Sequence, residues 1–336
     1  MSLNLHFFNR ETNISAKVVA DSISEAGQRI TTLEAELPRI VLAEMNTHHD
    51  IMKNCSSTRA ITLAKAIEQV EQNGFEPVYW GKNKSGMAAS DEVEDVYGAK
   101  VCWDLAKDKA VMYTETLCDR GLHKQIAGRL LEPFQMVKQV LTATNWDNFF
   151  NLRIHPTAQP EILMLAYKIY KAIEASKPTM LKSGEWHLPY VGRGFEVTFN
   201  GDTITYHVGE FGTESFKYLT LEEAKRISAS CCAQTSYRNT DDSLEKADSI
   251  FDMLVNVDVI HSSPAEHQAT PIKRSCDVMG VNNYDPATWE DGVTHMNRNG
   301  VVCSGGLVGW IQHRHLIPKN TCYKFNFEER MGLFKG

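Results

Sequence analysis

The chain of 336 residues contains no cysteines paired as C-x-x-C, no block of basic residues and no long run of apolar residues. An acidic chain with a net charge of -7 and no stripe of Lys and Arg is not expected to bind duplex nucleic acid. A membrane span needs roughly 18 apolar residues in succession, so we expect no association with membranes. Residues 1–10 also lack the basic start and apolar stretch of a secretory signal, which favours a cytoplasmic protein.

The cysteines and the apolar residues indicate which class of protein the chain belongs to. The 8 cysteines are scattered, without the Cys/His spacing of a zinc finger. In a reducing compartment we expect them to be free thiols and not metal ligands. A hydrophobic content of 43%, with 9% aromatic residues, is enough for a sizeable core. The sequence therefore predicts a folded globular protein without a metal site.

Apolar periodicity predicts an α+β fold that is rich in helix and has a mixed central sheet. Alternation of apolar and polar residues marks the strands, and apolar residues at intervals of three and four mark the helices. The pattern predicts strands at 16–24 and 29–37, a helix with Pro38 at its first position, helices at 60–72, 91–129, 130–176, 221–234 and 244–255, and a hairpin at 195–207 around Asn200-Gly201.

The order of these elements predicts three regions. Residues 1–190 form an N-terminal half, residues 191–215 a β-hairpin insertion, and residues 216–336 a C-terminal half. The two halves share one short motif, because residues 49–54 and 315–320 both read H-x-I-x-K-N. This repetition indicates an internal duplication.

Three arginines are candidates for contacts with an anion. Residues 47–59 combine imidazoles, hydroxyls, a lysine and an amide, and Arg59 can add a bidentate contact to a phosphate. The alternative is a helix capped by Ser or Thr whose arginine is only solvated. Arg129 and Arg153 each lie at the edge of an apolar helix, where an arginine needs a ligand or an internal partner such as Glu161.

Residues 261–267, H-S-S-P-A-E-H, form a further polar cluster. Two histidines six residues apart around a proline are poorly placed to share a metal ion. The structural alternative is a capped turn, in which Ser263 caps a helix begun by Pro264 and Glu266 lies in the first turn.

Taken together, these motifs resemble the flavin-dependent thymidylate synthase family, in particular its long, phage-type branch. The family's loop R-H-R-x-x-S-x-N-x-x-S-x-R is matched in part, and its turn H-x-[ST]-P-F-E-H nearly in full. The chain also has an arginine before a Leu-Pro-like turn, and N-F-x-x-L-R followed by A-Q-x-E-I. The matching residues are His48, Asn54, Ser57 and Arg59 in the loop, His261, Ser263, Pro264, Glu266 and His267 in the turn, and Arg129, Asn148, Arg153, Ala158, Gln159, Glu161 and Ile162 elsewhere.

The resemblance implies reductive methylation at C5 of dUMP. Methylenetetrahydrofolate would donate the carbon, reduced FAD the hydride, and NADPH would reduce the flavin, in a homo-oligomer (dimer or tetramer) located in the host cytoplasm if the gene is a phage's. Ser57, Arg59 and Arg129 would hold the nucleotide phosphate, and Arg153 would stabilise charge developing on the pyrimidine. The residues implied in flavin binding are His48, Asn54, Asn148, His261, Ser263, Glu266, Arg314 and Asn320.

The chain departs from the family loop at four positions. Thr47 and His49 replace arginines, Met52 replaces the first serine, and Cys55 replaces the glutamate that follows the asparagine. Residues 313–320 resemble a second copy of the loop. The C-terminal half is therefore expected to complete a flavin site that shorter members of the family assemble between subunits.

These departures leave other functions open. The same fold could act on dCMP, or yield a hydroxymethyl product for modified phage DNA. The chain could also be a catalytically silent paralogue that binds nucleotides or another synthase subunit. A flavin-independent mechanism would need an activated cysteine near arginines, for which Cys55 is the candidate.

Overall fold

The central element of the computed structural model is a five-stranded sheet; the structure describes residues 5–57, 59–86, 91–198, 201–236, 240–273, 285–332 and 334. Its strands are β1 (Ser15–Ser24), β2 (Arg29–Pro38), β3 (Met52–Cys55), β4 (Met136–Ala143) and β5 (Thr179–Leu181). They lie in the order β3-β4-β2-β1-β5, and only β1 and β5 run parallel. The predicted α+β class with a mixed sheet is confirmed.

Side-chain caps fix where several helices begin. Thr62 accepts a hydrogen bond from the backbone amide of Lys65, and Asp95 caps the longest helix in the same way. Thr220 and Glu223 form a reciprocal capping box. The helices are α1 (Leu42–Asn46), α2 (Leu63–Asn73), α3 (Val96–Asp119), α4 (Lys124–Ala127), α5 (Asp147–Arg153), α6 (Pro160–Ala175), α7 (Leu221–Ala233), α8 (Leu244–Leu254) and α9 (Phe327–Gly332).

One face of the central sheet carries the main hydrophobic core. Leu33 and Leu37 of β2 and Leu141 of β4 are fully buried there and pack with α6. Residues at alternate positions of a strand share a face, which explains the spacing of the two leucines. Burying one such side chain stabilises the fold by about 1.5–3 kcal/mol. The helix α5 packs against α6 and is held at this side of the sheet.

The opposite face of the sheet carries a buried polar cluster beside a smaller apolar cluster that includes Ile30 and Trp310. Ser22, Thr32 and Thr142 lie on neighbouring strands, and His187 and His267 cover them. Nδ1 of His187 is 2.9 Å from the Ser22 hydroxyl, and its Nε2 is 2.8 Å from the Thr32 hydroxyl. The Thr142 hydroxyl is 2.7 Å from that of Thr32 and 2.8 Å from Nδ1 of His267. We call these five residues the histidine–threonine chain.

Thr142→Val is expected to destabilise the protein by about 1–3 kcal/mol, because it keeps the shape of the side chain but leaves the buried Nδ1 of His267 without its partner and removes one of the two partners of the Thr32 hydroxyl. Urea denaturation measures the effect. Thr157→Val is the matched control, since Thr157 is exposed and its hydroxyl bonds the neighbouring, exposed His155. Equal stability losses in the two variants would contradict the expected cost of breaking the chain.

The remaining strands form three small sheets that follow the central one. Trp310, fully buried, donates from its indole N–H to the backbone oxygen of Gln28 at 3.2 Å, which ties the C-terminal region to the turn between β1 and β2. The strands are β6 (Gly192–Thr198), β7 (Gly201–Val208) and β8 (Lys217–Leu219) in one sheet, β9 (Ala269–Pro271) paired with β13 (Trp310–Gln312), and β10 (His295–Met296), β11 (Val302–Ser304) and β12 (Leu307–Val308) in the third.

Several predicted elements need correction. The predicted continuous helix over 130–176 is wrong where β4 runs through the interior of the sheet between β3 and β2, because a strand that is buried on both faces can lose the alternation that identifies strands. Pro38 is the last residue of β2, and a 3-10 helix, Arg39–Val41, follows it. The two strands at 16–24 and 29–37 and the hairpin of β6 and β7 are confirmed, although Asn200 lies outside the described residues.

The two copies of H-x-I-x-K-N differ in local structure. The first leads into β3, whereas the second begins in a 3-10 helix, His313–Leu316. The internal duplication and the three-region division stay predictions. The cysteines within the described ranges are free thiols, and Cys276 lies outside these ranges. In the part of the chain that is described, every helix is too short or too polar to cross a bilayer.

Candidate functional site

Residues 47–59, which we call the first loop, follow α1 and include β3. Lys53 closes the beginning of this loop. Nζ of Lys53 donates to the backbone oxygens of His48 and Ile51, the latter at 2.7 Å. Burial lowers the pKa of Lys53, while Glu266 and Asp50 oppose that shift. The ammonium group therefore replaces hydrogen bonds that the loop carbonyls would otherwise make with water.

Arg153, the predicted catalytic residue, lies against the same loop. Its Nε donates to Nε2 of His48 at 2.8 Å, and one terminal nitrogen pairs with Glu44 at 3.2 Å. Burial, followed by the charges of Arg153 and Lys53, lowers the pKa of His48 to about 4. His48 is thus neutral at pH 7 and accepts a hydrogen bond from the arginine.

The internal partner of Arg153 is therefore Glu44 and not Glu161. Glu161 is buried at the start of α6, where it accepts from the amide of Val78 at 3.1 Å and from the side chain of Gln159. It anchors the segment between α2 and α3 that contains Val78.

The turn at 261–267 forms a 3-10 helix, Ser263–Glu266. The prediction that Ser263 caps it is wrong, because the preceding Ser262 holds the cap position and makes no side-chain cap. Glu266 instead forms an ion pair with Arg314, and its backbone oxygen accepts from the side chain of Gln312 at 2.9 Å. Burial raises the pKa of Glu266, against the opposing influence of Arg314 and Lys53.

Three segments that are distant in sequence meet at this turn. Lys53 from the first loop and Arg314 from the second copy both interact with Glu266. Asn54 donates to the backbone oxygen of Cys232 at 3.3 Å, and the amide of Ser57 donates to the hydroxyl of Ser236 at 2.9 Å. The first loop, the turn and the second copy therefore belong to one site.

Two groups of this site bear on whether it fits a flavin. In the described contacts, Nε of Arg314 and Nδ1 of His313 are buried without a hydrogen-bond partner. A guanidinium Nε carries a proton and can only donate, and a flavin offers many acceptors. The unpaired donor of Arg314, beside Glu266, fits such a group, and Nδ1 of His313 can donate or accept according to its tautomer.

A pocket lies at the C-terminal end of the first loop, beside Ser57. It is lined by Ser57 and Ser236, by the cations Arg39 and Lys138, and by Gln135. Ser57 is the member of this set that sequence reasoning assigned to the nucleotide phosphate. The hydroxyls and cations give the pocket the donors that an anion needs.

The other sequence-predicted residues are more dispersed. Arg59, Asn148, His261 and Ser263 are exposed, and Arg129 is exposed and paired with Glu132 at 2.6 Å. Asn320 bonds the backbone oxygen of Ile317 at 2.7 Å. In the part of the chain that the structure describes, the pocket that contains Ser57 is not lined by Arg59, Arg129 or Arg153.

Cys55 is half-buried on β3 in the first loop. Burial raises the pKa of its thiol, with Arg39 and hydrogen bonds to Ser56 and Gln139 as smaller opposing influences. A thiol in this state is protonated at neutral pH, which disfavours it as an activated nucleophile.

Sequence reasoning counted Lys53 in its polar loop but gave it no role, and it missed Arg39, Lys138 and Ser236. Lys138 lies in the segment that we predicted as helix, so its position on the face of a strand was not foreseen. Ser236 follows α7 closely, and only the packing of α7 beside β3 brings it to Ser57. An arginine directly after a strand, as Arg39 is, was the one available signal.

Comparisons with known proteins add little to this picture. No protein-family model matches the chain, and no curated protein does. Among solved structures, a UMP/dUMP methylase, PolB from Streptomyces cacaoi bound with 5-Br UMP, has a TM-score of 0.39 and 16% identity over 51% of this chain and 91% of that chain. The same methylase bound with 5-Br dUMP has a TM-score of 0.40 and 16% identity over 51% and 92%. Because both measures are low, neither a family nor an activity follows for this chain.

Proposed function

We propose that the protein is a flavoenzyme that transfers one carbon from methylenetetrahydrofolate to C5 of a pyrimidine deoxynucleoside monophosphate, most simply converting dUMP to dTMP. The observation that supports this most is the meeting of the first loop, the turn at 261–267 and the second copy around Glu266. Motifs that matched by chance would have no reason to share one place in the fold.

In this proposal FAD, recharged by NADPH, supplies the hydride when bound. The residues beside the turn would hold the flavin: Arg314 and His313 through unpaired nitrogens, with Asn54 and Glu266 nearby. The low-dielectric surroundings of these half-buried groups strengthen each contact with the cofactor. The protein thus positions and desolvates the flavin, whose own chemistry drives the transfer.

Arg153 would act on the pyrimidine. Two of its nitrogens are engaged by His48 and Glu44, which fixes the plane of the guanidinium and leaves the second terminal nitrogen for a ligand. A positive charge held beside the base stabilises negative charge that develops as C5 becomes nucleophilic. Because His48 stays neutral, it orients Arg153 without competing for the substrate.

Product formation tests the proposal directly. Full-length protein supplied with FAD, NADPH, methylenetetrahydrofolate and dUMP is expected to yield dTMP, identified by mass. The product mass also separates a methyl from a hydroxymethyl group, and dCMP in place of dUMP tests the base. A protein that takes up no FAD and forms no product would instead be the silent paralogue.

Glu266→Gln is expected to weaken FAD retention at least tenfold, because it removes the carboxylate that orients Arg314. The readout is the flavin that remains with the protein after desalting, which does not depend on turnover. Glu174→Gln is the matched control, since Glu174 forms an exposed ion pair with Lys171 on α6. Flavin retained equally by parent and Glu266→Gln would remove Glu266 from the cofactor site.

The proposal includes a homo-oligomer, either a dimer or a tetramer. Its support is the long helix α3, where Tyr97, Leu105 and Tyr113 are all more than half exposed. Apolar residues exposed along one helix are typical of an interface. Sedimentation of the purified protein measures the number of copies.

A further inference from the structure

The pocket beside Ser57 contains two cations to which the family resemblance gives no role. Arg39 follows β2 directly, and Lys138 lies on β4. Both side chains are mostly buried, with 16% and 18% of their surface exposed. Long cationic side chains are rarely buried unless their charge is paired with an anionic group.

The internal partners of these cations leave donors free. One terminal nitrogen of Arg39 pairs with Glu132 at 2.9 Å, and the ammonium of Lys138 lies 3.4 Å from Glu34. A guanidinium carries five N–H donors and an ammonium three, so one carboxylate uses only part of each set. The remaining donors are available at the pocket.

Two hydroxyls of the pocket are also poised to donate. The oxygen of Ser57 accepts from the amide of Arg59, and the oxygen of Ser236 accepts from the amide of Ser57. With their acceptor sites engaged, both hydroxyls keep a proton for a ligand. Two cations and two hydroxyl donors match the needs of a phosphate group.

Gln135 favours an occupant that carries more than an anionic group. This residue is only 5% exposed, and its side-chain oxygen has no hydrogen-bond partner. A buried carbonyl oxygen without a donor is costly, so an occupant with an N–H or O–H group would relieve it. Glu36 also lines the pocket and can accept from a hydroxyl. A nucleoside monophosphate carries both a phosphate and such donors.

We propose that Arg39 and Lys138 bind the phosphate of the nucleoside monophosphate in this pocket, with Gln135 accepting from its sugar or base. The inference rests on the proposed function, because it names how that function's substrate is held. The phosphate is thereby assigned to residues other than Arg129. Arg129 lines a neighbouring pocket, and both Arg129 and Arg39 pair with the carboxylate of Glu132.

Calorimetric titration of the full-length protein with dUMP and with deoxyuridine tests the assignment. Arg39→Gln and Lys138→Gln are each expected to lower affinity for dUMP by about 10- to 100-fold, the range for a charged hydrogen bond. Affinity for deoxyuridine, which lacks the phosphate, should stay as in the parent. Inorganic phosphate should compete with dUMP in the parent and less well in both variants.

Lys82→Gln is the matched control, because Lys82 forms an exposed ion pair with Glu94 away from the pocket. It should bind both ligands as the parent does. Thermal melting checks the fold of each variant, and Lys138→Gln, which gives up only a long contact, serves if Arg39→Gln unfolds.

The outcomes separate the two proposals. A parent that binds dUMP, with folded variants that bind it equally well, overturns the phosphate assignment and leaves the proposed function intact. Equal losses for dUMP and deoxyuridine also overturn it, since they reveal a structural role. A parent that binds no dUMP overturns both.

Discussion

Acidification below about pH 6.5 is expected to destabilise the folded protein steeply. Burial lowers the pKa of His267 to about 3 and those of His48 and His313 to about 4, and it holds that of His187 well below its ordinary value. In the unfolded chain these groups would take up protons near their ordinary value of 6.5. As pH falls, the unfolded state binds more protons, and each histidine removes up to about 1.4 kcal/mol of unfolding free energy per pH unit.

Two buried carboxyl groups act in the opposite direction. Burial raises the pKa values of Glu161 and Glu266, so the folded state binds protons before the unfolded state does as pH approaches their ordinary value of 4.5. Their contribution therefore favours folding at lower pH. The histidines dominate because they are more numerous and begin to titrate at higher pH in the unfolded chain.

Urea denaturation at about pH 7, pH 6 and pH 5 measures this dependence. His267→Gln should reduce the slope of stability against pH by up to about 1.4 kcal/mol per unit, a limit approached towards pH 5, because one titrating group is lost. His155→Gln is the control, since His155 is exposed between α5 and α6. Identical slopes for His267→Gln and the parent would show that His267 is protonated equally in both states.

Arg153→Lys is expected to slow the chemical step more than it weakens nucleotide binding. Lysine keeps the charge but cannot contact His48, Glu44 and a base at once, as the planar guanidinium can. The same change should cost about 1–3 kcal/mol of stability, because His48 loses its donor. Single-turnover flavin oxidation and melting temperature, measured on one preparation, record the two effects.

Glu44→Gln separates catalysis from structure in this experiment. It removes the ion pair at the outer end of Arg153 but keeps the guanidinium and its contact with His48. The glutamine oxygen can still accept from Arg153 and hold the plane of its guanidinium, so the melting temperature should fall while flavin oxidation stays close to that of the parent. If Arg153→Lys behaves in the same way, Arg153 only holds the first loop in place.

The strands were predictable where apolar and polar residues alternate or where turn residues are explicit. The strands β1 and β2 and the hairpin of β6 and β7 follow from alternation and from Asn200-Gly201. β4, an interior strand between β3 and β2, was not predictable in this way, since its apolar residues do not alternate regularly with polar ones. Its apolar spacing resembles that of the helices on either side of it.

The candidate site was predictable as motifs but not as partners. Glu266 and Arg314 were each singled out, yet nothing in their spacing shows that they pair with each other. Arg153 was expected to bind either a ligand or an internal partner such as Glu161, whereas α1 places Glu44 where it forms the ion pair with Arg153. Partners contributed by distant segments depend on tertiary packing, which local patterns do not record.

The histidine–threonine chain limits how early the central sheet can finish folding. Its hydrogen bonds join residues separated by 110 to 165 positions. Contacts of such long range slow folding, because loop closure must precede any stabilising contact. During synthesis, His187 can cover Ser22 and Thr32 first, but Thr142 stays uncovered until residue 267 has left the ribosome. Nascent chains should therefore depend on chaperones late in translation, when most of the strands already exist and their covering residues do not.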